Sequence, residues 1–66
     1  MIIQLNGEER QLHSPLTLWD LLTTEAIPIQ SIAVAVNDEI VPRSEFERRQ
    51  VNNQDRVEII HAVGGG

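Results

Sequence analysis

The chain has 66 residues, enough for one small domain, and a domain of that size buries only about 60% of the surface its unfolded form exposes. Ten acidic residues against five arginines and no lysine give a net charge of −5. That balance disfavours nucleic acid and anionic membrane surfaces as partners, and it suits either a protein partner with a basic face or plain solubility.

Other absences narrow the class further. There is no cysteine, hence no disulfide and no thiolate metal site, and His13 and His61 cannot hold zinc unaided. Eight Ile, six Leu and six Val stand against two aromatics, Trp19 and Phe46, which suits a β-rich core of branched aliphatics. A domain this small rarely spares the walls of a catalytic cleft, and Cys, Lys and Tyr are all missing. The expectation is a carrier, a binding module or a subunit rather than a stand-alone catalyst. The stretch Met1–Gly7 lacks the basic n-region and long apolar run of a targeting signal. The longest apolar run, Ile32 to Val36, is too short to span a membrane, so the expected compartment is the cytoplasm.

In chain order, Ile2 to Leu5 reads as a strand ending at Asn6-Gly7, a pair that favours a two-residue hairpin because both positions take positive φ. Glu8 to Leu12 is the return strand. Its polarity puts it at a sheet edge, with Leu12 the one core candidate. Thr17 with Asp20 resembles a capping box. It opens a helix whose Leu18, Leu21 and Leu22 form one apolar stripe, and Ile27-Pro28 ends it. Ile32 to Val36 is apolar on both faces, as an inner strand is. Asn37-Asp38-Glu39 turns the chain into a short strand, Ile40-Val41, which Pro42 stops. Ser44 and Glu47 have the spacing of a second capping box, with Phe46 pointing inward. After a turn at Asn52 to Asp55 comes the last strand, Arg56 to Val63, with Val57 and Ile59 on one face and Ile60 and Ala62 on the other.

One helix must cover one face of such a sheet. Placing the apolar last strand parallel to the first gives an α+β fold with a mixed sheet of four to five strands, in the ubiquitin-like β-grasp arrangement. The domain is expected over residues 1–63 and a flexible tail over 64–66.

Three of the four glycines close the sequence: Gly64, Gly65 and Gly66. A phosphate-cradling loop would run on into a helix, and a linker would need something to link. The remaining readings are a frayed end, an expression remnant, or a tail whose carboxylate reacts. Physics favours the last. Three extended residues reach about 10 Å into a partner, the missing Cβ lets them pass a narrow channel, and a glycine acyl group is open to attack.

The chain resembles the ThiS family, the sulfur carriers of thiamine biosynthesis. The similarity runs through I-Q-L-N-G-E, T-L-W-D-L-L, A-V-A-V-N-D-E-I-V-P-R-S-E-F and D-R-V-E-I-I-H-A-V-G-G-G. Ala33 to Phe46, with Val41-Pro42-Arg43-Ser44, is its most specific part. The resemblance implies a cycle at Gly66. An E1-like, ATP-dependent adenylyltransferase of the ThiF type would activate the carboxylate. Sulfur from a cysteine desulfurase would make a thiocarboxylate, and a thiazole synthase of the ThiG type would take that sulfur into the thiazole of thiamine. Gly64 and Gly65 would thread the tail. The carrier itself, a monomer when free, would bind no metal or cofactor, ATP belonging to the partner. Molybdopterin synthesis, ubiquitin-like protein modification and an inert interaction module are the competing functions.

The remaining candidate side chains carry two readings each. Trp19 either anchors a partner or caps the edge of the core. Ile60, Ala62 and Val63 either form a docking patch or lie under Phe46 and its loop. Arg43 pairs with a partner's acid or with Asp38 or Glu39. His61, at a strand end, reads as structural rather than as an acid-base group.

Overall fold

The computed structural model describes residues 1–61. A five-stranded mixed sheet carries one helix. Its strands are β1 (Ile2–Leu5), β2 (Glu8–Gln11), β4 (Ile32–Val36), β5 (Glu39–Val41) and β7 (Arg56–His61), in the order β2-β1-β7-β4-β5. Two-residue strands β3 (Leu16–Thr17) and β6 (Gln50–Val51) pair apart from it and bracket helix α1 (Leu18–Thr24). β7 pairs parallel with β1, placing Gln4 opposite Arg56, and antiparallel with β4, from Val36 opposite Val57 to Ile32 opposite His61. The last strand is therefore the middle of the sheet, as its apolar sequence requires, and polar β2 is an edge.

Local chemistry sets each turn. Asn6 and Gly7 have φ of 51° and 80°, and Asn37 and Asp38 have 53° and 70°, so both hairpins are tightened by left-handed residues. Thr17 Oγ1 accepts from the Asp20 amide while Asp20 Oδ2 accepts from the Thr17 amide, each at 3.2 Å. This is a complete capping box with Asp in the third position.

The helix ends sooner than Pro28 implies. Ala26 adopts φ 57°, and the amides of Ala26 and Ile27 bond back to the carbonyls of Thr23 and Leu22. That is a Schellman termination, formed by alanine where glycine is usual. The second capping box does not form. A 3-10 turn over Arg43–Glu45 follows Pro42, which stands at the cap position with φ −62° and an extended ψ of 147°, and no side chain caps it. Ser44 lies inside that turn, too late to cap it.

The core lies between α1 and one sheet face. Leu18, Leu21 and Leu22 meet Ile3, Val34 and Val57, all at most 1% exposed. Phe46, 1% exposed, fills the space beside the helix start, where its carbonyl accepts from the Trp19 amide at 3.0 Å. Asp55 is the one buried charged residue described. Its carboxylate accepts from the Asn52 amide at 2.8 Å and from Asn37 Nδ2 at 3.0 Å, which holds the loop before β7 against the β4–β5 turn. No helix among the described residues is long and apolar enough to cross a membrane. The expected boundary between 63 and 64 lies outside the described residues.

Candidate functional site

The site is built around the far end of β7. β1 stops pairing at Leu5, opposite Val57, and turns away, while β7 continues four residues further to His61. Asn6 bridges the step. Its amide donates to the Val57 carbonyl at 2.9 Å, and its side-chain Oδ1 accepts from the Ile59 amide at 2.8 Å. A side-chain carbonyl thus replaces the next rung of the ladder. At the other end Asn37 does the same, its Oδ1 accepting from the Arg56 amide at 2.9 Å. β7 thus runs past the hairpin tip on its β1 side, while β4 flanks it on the other side as far as His61. His61, exposed at the end of β7, opposes Ile32, and among the described residues no hydrogen-bond partner is found for its ring.

Ala62, Val63, Gly64, Gly65 and Gly66, which carry most of the sequence-predicted site, lie outside the described residues. Of the rest, Ile60 is 51% exposed on the sheet face away from α1. It is not under Phe46, because Phe46 packs on the helix side. Ala33 faces Ile60 across the β4–β7 ladder, and Ala35 faces Ile40, itself 62% exposed. Small residues on β4 leave the two isoleucines standing proud, with Glu58 beside them opposite Ala35. Trp19 is 39% exposed and outside the core cluster. One residue round the helix from buried Leu18, it points off the stripe rather than capping the core. It sits in the helix layer, so the fold does not bring it together with Ile60. Arg43 pairs with neither Asp38 nor Glu39. Those acids are taken by Arg56 and Arg49, at 3.0 and 3.7 Å, and Arg43 Nη2 instead donates to the Gln30 carbonyl at 3.1 Å.

Nothing described here makes a catalytic centre. The hollow between the hairpin tip and β7, lined by Gln4, Asn6, Gly7, Arg56, Val57 and Glu58, holds no nucleophile. No cluster of three metal-ligating side chains exists among the described residues. What the described residues offer is an exposed apolar face beside the central strand, which the sequence continues into the glycine run.

These features define a β-grasp protein whose central strand leads into a glycine run. The chain belongs to the ThiS family, whose sequence model matches residues 3–66. It is similar to the sulfur carrier protein ThiS of Bacillus subtilis strain 168, 30% identical over 66 residues that cover 98% of this chain and 100% of that one. It is also 38% identical over 66 residues to a thiazole synthase of Paramagnetospirillum magneticum, a match covering 100% of this chain and 20% of the enzyme. The crystal structure of the thiamine biosynthesis protein ThiS from Geobacter metallireducens superposes with a TM-score of 0.88 at 26% identity, each chain covered in full.

Proposed function

We propose that this chain is a sulfur carrier for thiamine biosynthesis and that the carboxylate of Gly66 carries the sulfur. One observation supports the reading above the others: the family match runs through all three terminal glycines, and in sequence they come shortly after the strand at the centre of the sheet. A ThiF-type adenylyltransferase binds ATP, and the Gly66 carboxylate attacks its α-phosphate, releasing pyrophosphate. Persulfide sulfur supplied by a cysteine desulfurase then displaces AMP from the acyl carbon, and a thiol reduces the resulting acyl persulfide to the thiocarboxylate, leaving as a disulfide. A thiazole synthase consumes that sulfur. The carrier performs no chemistry beyond offering an unhindered acyl group, so it acts as a co-substrate with no metal or cofactor of its own. It passes between partners as a cytoplasmic monomer.

Two further observations support the partners. A thiazole synthase holds a segment similar to this whole chain, and tethering a carrier to its consumer raises the effective concentration of the tail at the active site. The Ile60–Ala33–Ile40 face lies beside the base of the tail. A partner gripping that face aims the glycines into its channel.

Intact-mass spectrometry of the protein taken from its host tests the reading. The expected result is a species heavier by the exchange of one oxygen for sulfur, placed on Gly66 by fragmentation. Deleting Gly66 removes that species and leaves the circular dichroism spectrum unchanged. A deletion variant that still acquires sulfur overturns the reading.

A further inference from the structure

Four of the five arginines are engaged by carboxylates. Arg10 lies 3.1 Å from Glu8 and 3.6 Å from Glu25, Arg48 2.9 Å from Glu45, Arg49 3.7 Å from Glu39, and Arg56 3.0 Å from Asp38. Arg43 is the fifth. Among the described residues no carboxylate is paired with it, and its one internal bond is to the Gln30 carbonyl. A carbonyl takes one of the five N–H donors of a guanidinium and leaves its charge unneutralised.

Its position is informative. Gln30 precedes Ile32 by two residues, and Ile32 is the register partner of His61. Val41, two residues before Arg43, opposes Val34, which in turn opposes Ile59. The guanidinium therefore stands at the end of the sheet from which residues 62–66 depart. Pro42 and the 3-10 turn fix the backbone of Arg43, and the Gln30 carbonyl fixes its fork. An exposed charge already held in place loses little side-chain freedom when it pairs.

Reach decides what it pairs with. Drawn out into a channel, residues 62–66 span roughly 17 Å. The reacting carboxylate then lies well past the grasp of any side chain anchored at the sheet. Arg43 therefore meets the mouth of the channel and not the nucleotide inside it. The rest of the carrier is acidic, at −5 overall, so a basic partner surface draws it in, while one acidic group on that surface fixes which way round it sits.

We propose that Arg43 is a docking residue: its guanidinium, tethered to the Gln30 carbonyl at the tail end of the sheet, pairs with a carboxylate at the mouth of the activating enzyme's channel. The inference rests on the sulfur-carrier reading and names the group that orients the carrier. ATP–pyrophosphate exchange by the activating enzyme, measured against carrier concentration, tests both in turn. Parent protein that supports no exchange overturns the carrier reading. Given exchange, Arg43→Glu raises KM for the carrier by on the order of tenfold and leaves kcat within about twofold. Added salt shrinks the difference. Arg43→Lys keeps the charge without the fork and shows a smaller rise. Arg10→Glu, the same charge change on β2, keeps the parent KM. Thermal melting of Arg43→Glu shifts no more than for an ordinary surface change. An unchanged KM overturns the proposal. So does a fall in kcat at constant KM, which places Arg43 at the reacting atoms. A KM rise matched by an equal loss of folded protein overturns it as well, because the Gln30 bond is then the whole role.

Discussion

Asn6 Oδ1 and the Ile59 amide, 53 positions apart in sequence, are joined by a 2.8 Å hydrogen bond that carries the β1–β7 ladder past the end of β1. The bond makes a turn residue part of the sheet's central pairing. Asn6→Gly keeps the positive φ and removes the acceptor, leaving a partly buried donor unmet, so it is expected to destabilise by about 1–2 kcal/mol. Asn6→Asp keeps an oxygen in place and should stay near the parent. Urea unfolding together with hydrogen exchange at Ile59 checks both, exchange at that amide rising only in the glycine variant.

Ala26 carries a left-handed backbone where the helix stops. Ala26→Gly relieves the Cβ clash at φ 57° and is expected to stabilise by about 0.5–1 kcal/mol, net of the extra freedom glycine has when unfolded. A higher midpoint in urea at constant slope is the signature.

Phe46 is the largest fully buried side chain described. Phe46→Ala forfeits about 3–5 kcal/mol, as much as a single core of this size supplies. The variant should be largely unfolded at room temperature by circular dichroism, whereas Phe46→Leu should fold with a lowered melting temperature.

Ile60→Ser changes an exposed residue on the outer sheet face. Stability should stay within about 0.5 kcal/mol of the parent. Binding to the activating enzyme or to thiazole synthase should weaken by on the order of tenfold if this face is the central anchor. Titration calorimetry with each enzyme reads the change, and Trp19→Ser in the helix layer serves as the comparison.

Gly65→Val is expected to block adenylation while docking of the folded body largely survives. The branched side chain restricts φ and ψ and widens the tail where a channel must admit it. Equal losses of docking and of pyrophosphate exchange would mean that the tail is not threaded.

Short-range chemistry was the legible part of the sequence. The Asn6-Gly7 hairpin, the Thr17–Asp20 cap, the Leu18-Leu21-Leu22 stripe and the polar edge of β2 each follow from a few neighbouring residues. So does the central place of β7, from its apolar run. What escaped depends on contacts between distant segments. β3 and β6 are two residues each, below any periodic signal, and exist because Leu16 finds Val51 across 35 positions. Pro28 hid the earlier stop at Ala26, since alanine gives no sign that it will turn left-handed. Ser44 fits the capping pattern, but Pro42 had already begun the turn. Arg43 was matched to Asp38 and Glu39 in the preceding turn, yet Arg56 and Arg49 reach those acids in space. At the site, the glycine run was visible as composition. The exposure of Ile60 was not, because the same alternation serves a covered face and an open one.

The central place of β7 also governs how the molecule assembles. β1 and β4 each need it on one side, so neither the hairpin at the front nor the β4–β5 pair can join into a sheet until synthesis has passed residue 61. Pairing segments more than fifty positions apart pays its loop-closure entropy before any contact rewards it, which slows the search and makes the transition all-or-none. No half-built intermediate is stable with its middle strand missing. The strand that completes the fold is also the one that leads into the glycines, so under the proposed function a nascent or misfolded chain would offer an activating enzyme no assembled surface to grip. On that reading, folding would stand before activation and keep ATP from an unfinished carrier.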